Sequence, residues 1–143
     1  MMKNVFSPVV IVFCLLTLVA CGSNKVEGKG PEDIPVEWVN AHVQKDQEKM
    51  TALLDKEQSL LDSKKSSEND LEIKDYKLTE WKVNDDNYFY EIVYTDPESE
   101  EVKTDRMKII KTEDGWKRAK YGQVKDFEKL TADLKVKTVK EMH

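Results

Sequence analysis

Residues 76–95, YKLTEWKVNDDNYFYEIVYT, contain two segments of alternating apolar residues separated by a polar turn. A period of two predicts strands over 76–83 and 87–95, and the NDD between them predicts a hairpin. The second strand is apolar on both faces, with Tyr88, Tyr90, Ile92 and Tyr94 on one and Phe89 and Val93 on the other. Such a strand is expected in the middle of a sheet that is covered on both sides. Helices can supply one cover, and we expect the other from a curved sheet closing on itself or from a partner.

Two further strands are predicted downstream, over 102–111 and 116–122, because the intervening DPESEE and EDG are typical turn sequences. From Gln123 the apolar residues recur at helical spacing, which predicts a C-terminal helix reaching Leu134. The final KVKTVKEMH favours neither a helix nor a strand.

Upstream of the hairpin, apolar residues recur at helical spacing from Val36 to Leu61. Asp46 interrupts the apolar stripe and is a good N-cap residue. We therefore predict two consecutive helices, 34–45 and 47–61, followed by the polar loop DSKKSSEND. Helices followed by a run of antiparallel strands indicate the α+β class, in a single domain over 34–143.

Three segments carry a resemblance to the NTF2-like superfamily: VEWVNAHVQKDQEKMTALLDKE, YKLTEWKVNDDNYFYEIVYT and DRMKIIKTEDGWKRAKYG. The resemblance implies N-terminal helices packed on a strongly curved antiparallel sheet that forms a cone with an apolar pocket. It covers residues 34 to about 122, and the predicted C-terminal helix is an addition to the pattern. By this resemblance the pocket is lined by Trp38, His42, Trp81, Tyr90 and Trp116. The alternative is that these aromatic residues simply fill the core.

The first 20 residues have the organisation of a secretory signal peptide, with Lys3 ahead of a 12-residue apolar run from Val9 to Ala20. This run is shorter than the roughly 20 residues that cross a bilayer as a helix. Leu18-Val19-Ala20-Cys21 resembles the lipobox of bacterial lipoproteins. The resemblance implies cleavage after Ala20, a diacylglycerol on the Cys21 thiol and attachment to the outer side of the cell membrane. Residues 21–33 are expected to form a flexible linker.

Composition and motifs argue against several classes of function. The net charge of −5 argues against nucleic-acid binding. With Cys14 in the signal peptide and Cys21 lipidated, neither a disulfide nor a zinc site is expected. No cofactor motif is found. His42 and Asp46 have the i, i+4 spacing that can orient an imidazole, but such pairs are usually exposed, and His143 at the end of the sequence is expected to be frayed.

We therefore expect a membrane-tethered, non-catalytic binding module that recognises a small ligand, a peptide or a membrane-protein partner. One variant of this hypothesis is an immunity or exclusion lipoprotein that protects the cell from a peptide toxin or a mobile element. An acidic domain suits the capture of cationic peptides, because opposite charge speeds their encounter. The alternatives are an isomerase or hydrolase of NTF2-like type that uses His42, and a structural spacer in a surface assembly.

Overall fold

The computed structural model describes residues 25, 26 and 28–143, so the predicted signal peptide and Cys21 lie outside the described residues. Within these residues, three helices and five strands follow one another in the order α1 (Asp33–Val43), α2 (Gln47–Leu53), β1 (Tyr76–Asn84), β2 (Asn87–Thr95), β3 (Val102–Thr112), β4 (Gly115–Arg118), α3 (Phe127–Thr131) and β5 (Val136–Lys140). The predicted α+β class is confirmed.

The strands form one antiparallel sheet in the order β4-β3-β2-β1-β5. The first three strands match their predicted ranges to within a residue, and β2 lies at the centre as expected. The sheet is open, with β4 at one edge and β5 at the other. The C-terminal segment that favoured neither state is therefore a strand, paired through residues such as Val136 opposite Trp81.

The inner face of the sheet, which carries Tyr88, Tyr90, Ile92 and Tyr94 of β2, packs against α1 and α2. Alternation places Leu78 of β1 opposite Ile92, and Met107 of β3 opposite Tyr90, on this same face. These side chains form the main hydrophobic core with Trp38, Val39 and the apolar residues of α2. Burial of this apolar surface is the principal stabilising term for the fold.

The outer face of the sheet is covered in part by α3. The Phe127 ring contacts Trp81 and Phe89 edge-on, with centroid distances of 5.2 and 5.8 Å. Trp81 and Phe89 are opposite one another on β1 and β2, so one aromatic residue of α3 covers the middle of this face. Part of the second cover that β2 requires thus comes from α3, and the sheet of the described residues is open and does not close on itself.

The second helix is shorter than predicted, because it ends at Leu53 and not at residue 61. Leu54 is extended, with φ −88° and ψ 143°, and forms a parallel bridge with Arg118. The backbone N–H of Asp55 donates to the Arg118 carbonyl at 2.9 Å. The chain therefore pairs with the edge strand β4 after Leu53 and does not continue as a helix. As a result Leu60, which belongs to the predicted apolar stripe, is 80% exposed.

Two predictions near the C-terminus were also wrong in extent. The fourth strand ends at Arg118 and not at residue 122, because the following loop turns back around the Arg118 side chain. The helix predicted from Gln123 spans only Phe127–Thr131. Gln123 is not helical: its side-chain carbonyl accepts the backbone N–H of Arg106 at 2.9 Å, which ties this segment to β3.

The described part of the predicted linker lies against the domain. Val26 and Lys29 form a small bridge, Val26 packs against the core, and the Lys29 ammonium pairs with Glu37 at 2.9 Å. All core residues of the described chain lie between Val26 and Val139. A chain that begins at Gly22 therefore keeps the whole described core.

Candidate functional site

Three of the five residues predicted to line a pocket lie in the core between the sheet and α1. Trp116 contacts Tyr88 edge-on at 5.6 Å, and Tyr88 stacks beside Tyr90 at 6.0 Å. Trp38 and Trp116 are 3% and 4% exposed, and Tyr90 is fully buried. These rings fill the space between the layers and leave little apolar surface for a ligand.

The phenol of Tyr90 forms a hydrogen bond with a cross-strand neighbour. Its hydroxyl donates to the Glu80 carboxylate at 2.6 Å, and Glu80 lies opposite Tyr90 in the pairing of β1 with β2. Burial, and then this hydrogen bond, raise the pKa of Tyr90 far above its ordinary value. A phenol held protonated in this way satisfies a buried donor and is poorly suited to act as a base.

The other two predicted pocket residues lie elsewhere. Trp81 is on the outer face against Phe127. His42 is exposed near the end of α1. Asp46 caps α2, since its carboxylate accepts the Lys49 backbone N–H at 3.0 Å. Trp38 and His42 line one surface groove of about 400 Å³, but the other three predicted residues do not line it, so the five are not brought together around one cavity.

A buried ion pair that the sequence did not indicate lies beside Trp38. The Arg118 guanidinium is centred 4.4 Å above the Trp38 ring and binds Asp105 through both terminal nitrogens, at 2.9 and 3.3 Å. It also donates to the carbonyls of Lys120 and Gly122, at 2.8 and 2.5 Å. These contacts occupy the guanidinium, so its role is to fix the loop after β4.

That loop forms one wall of a groove on the outer side of the sheet, which we call the outer groove. Its volume is about 580 Å³, within the range of roughly 300–1,000 Å³ found for small-molecule sites. The lining residues are Phe89, Lys108, Ala119, Lys120, Tyr121, Gly122, Gln123, Val124, Lys125 and Leu130.

The outer groove is held open by backbone and side-chain contacts on both sides. Ala119 and Val124 donate their backbone N–H groups to the carbonyls of Lys108 and Arg106, at 2.9 and 3.3 Å, so the loop lies along β3. On the opposite side, Phe127 anchors α3 to the sheet. The Arg106 guanidinium is centred 5.2 Å above the Phe127 ring and so reinforces this anchor.

Sequence reasoning missed the outer groove because it assigned its residues to other environments. Val124 and Leu130 belong to the apolar residues whose spacing predicts one helix from Gln123 to Leu134, but Leu130 is 49% exposed. The available signal was Gly122, which has φ +91° and ends the extended backbone before the helix starts. A break there separates the loop from α3 and leaves a concave junction between them.

A second groove lies between the start of α1 and the strands β1 and β5. Its floor includes Val36, Leu78 and Val139, and its rim carries carboxylates. Two of these are already engaged, since Glu37 pairs with Lys29, and Asp33 accepts the Gly30 backbone N–H at 2.8 Å. This groove is smaller, at about 390 Å³.

Within residues 25, 26 and 28–143, no group of three or more His, Cys, Asp or Glu side chains is arranged to hold a metal ion. The same residues contain no helix with the length and apolar character needed to cross a membrane. No family model, curated protein or solved structure matches the chain.

Proposed function

We propose that this protein is a bacterial lipoprotein, anchored to the outer side of the cell membrane, whose domain is a non-catalytic binding module. The observation that carries the binding role is the outer groove, a concave site with an apolar floor and charged side chains at its rim. A small ligand, or a segment of a peptide or membrane protein, is the kind of partner that such a site accommodates.

The sequence Leu18-Val19-Ala20-Cys21 supports the anchor. Two acyl chains on Cys21 suffice for stable membrane attachment, because each buried methylene contributes about 0.8 kcal/mol. Cys21→Ala is therefore expected to release a folded domain from the membrane. Cell fractionation tests this, and a variant that stays in the membrane pellet after a high-salt wash contradicts the proposed anchor.

The binding role is tested with a neutral apolar dye, Nile red, added to the chain that begins at Gly22. We expect bound, blue-shifted fluorescence that is lost in Leu130→Asp, which places a charge in the outer groove. Leu60→Asp is the matched control, because Leu60 is exposed and does not line the groove. Dye binding that is equal in the two variants, or absent in the unmodified chain, contradicts a binding role for the outer groove.

The relation to the NTF2-like superfamily belongs to the same proposal. Two helices followed by an antiparallel sheet, with α1 packed on its inner face, support it. The inner face is filled by the buried rings of Trp38, Tyr90 and Trp116. We therefore do not propose an apolar cone pocket as the ligand site. The proposed binding site is instead on the opposite side of the sheet.

A further inference from the structure

The charge of the outer groove is opposite to that of the whole chain. The chain carries a net charge of −5, but the groove lining includes Lys108, Lys120 and Lys125 and no carboxylate. None of these three ammonium groups forms an ion pair within the described part of the chain. All the charged side chains that line the groove are therefore positive.

The same groove has apolar surface beside these lysines. Phe89 lies at its base and the Lys108 ammonium is 5.9 Å from the centroid of that ring. Val124 and the half-exposed Leu130 add aliphatic surface. An apolar floor with cations around it is complementary to a molecule that has a hydrocarbon part and an anionic head.

We propose that the outer groove binds a single-chain anionic amphiphile of the fatty-acid class. Its hydrocarbon chain lies on Phe89, Val124 and Leu130, and its carboxylate lies among the three lysines. This inference rests on the proposed binding role of the outer groove and names its ligand class. It does not depend on the lipid anchor.

The backbone around the groove favours such a ligand over an extended acidic peptide. Peptides that bind beside a sheet gain affinity by pairing with free main-chain groups of an edge strand. Here the carbonyls of Arg106 and Lys108 already accept N–H groups from Val124 and Ala119. A concave site of about 580 Å³ also suits one inserted chain better than the plane of a bilayer.

The test is displacement of Nile red from the chain that begins at Gly22 by two probes with the same ten-carbon chain, decanoate and decylammonium, below their micellar concentrations. We expect decanoate to displace the dye at a concentration at least about tenfold lower than the concentration of decylammonium that is needed, because the groove attracts anions. The triple variant Lys108→Glu/Lys120→Glu/Lys125→Glu is expected to reverse this order.

The matched control is Lys56→Glu/Lys64→Glu/Lys74→Glu, which makes the same change in net charge at exposed lysines outside the groove. It should keep the preference for decanoate. Circular dichroism of each variant confirms that it is folded.

The outcomes separate the two proposals. Dye that binds in a manner sensitive to Leu130→Asp but is displaced equally by both probes overturns the fatty-acid inference and leaves the binding role intact. An acidic peptide that displaces the dye better than decanoate also overturns it, as does co-sedimentation with phosphatidylglycerol vesicles without decanoate binding. Dye that does not bind the groove at all overturns both proposals.

Discussion

Replacement of Trp116 by alanine tests how the domain is held together. The side chain belongs to the second residue of β4, is 4% exposed, and contacts Tyr88 edge-on at 5.6 Å. Truncation of a buried Trp to Ala costs about 3–5 kcal/mol, through lost burial and the cavity that remains. A domain of this size has roughly 5–15 kcal/mol of total stability. We expect Trp116→Ala to be severely destabilised, and Trp116→Phe to be much milder because most of the ring is retained.

The assay is urea unfolding of the chain that begins at Gly22, followed by circular dichroism. Trp81→Ala is a useful comparison, since Trp81 is only half-buried on the outer face and its loss should cost less than that of Trp116. A Trp116→Ala variant within about 0.5 kcal/mol of the unmodified protein, the range typical of surface changes, would refute the packing described here.

Three further substitutions give distinct outcomes. His42→Ala should change the free energy of unfolding by less than about 0.5 kcal/mol, and a substrate turned over about a hundredfold more slowly by this variant would contradict the non-catalytic proposal. Arg118→Ala should cost about 3–5 kcal/mol in urea unfolding, because it removes the ion-pair partner of the largely buried Asp105 carboxylate and leaves that carboxylate with the Gln123 amide as its donor; a cost near zero would show that the pair is dispensable. The pKa of Asp96 is lowered, first by its hydrogen bond from Lys103 and then by backbone N–H groups. The ionised carboxylate therefore stabilises the fold at pH values above the ordinary carboxyl pKa, and this contribution is lost as the pH falls through the lowered pKa. Asp96→Asn should therefore destabilise the protein more at pH 7 than at pH 2, and an equal loss at both values would contradict this assignment.

The central strands could be predicted because their apolar residues alternate and their turns are explicit. Residues 87–95 carry apolar side chains on both faces, which identified the central strand of the sheet. The C-terminal strand could not be predicted, because Val136–Lys140 is largely exposed and carries lysines. Its conformation depends on pairing with β1, a contact distant in sequence. The lysines also suit an edge strand, since charge discourages pairing with another chain.

The candidate site could not be predicted from the sequence, because it depends on where β4 ends and where α3 begins. The alternation in the sequence continues past Arg118, although regular strand structure ends there and the following loop wraps around the guanidinium. The buried pair of Arg118 with Asp105 joins residues on neighbouring strands that no local pattern connects. Aromatic residues were easier to identify, but their assignment to a pocket or to the core required the packing itself.

The most direct test of the proposed binding role is an NMR titration of the ¹⁵N-labelled chain that begins at Gly22 with decanoate. We predict saturable shifts concentrated at the amides of Lys108, Val124 and Leu130, which line the outer groove, with little change at Trp38 and His42 on α1. Shifts centred on α1, or no saturable shift in the outer groove, would contradict the account.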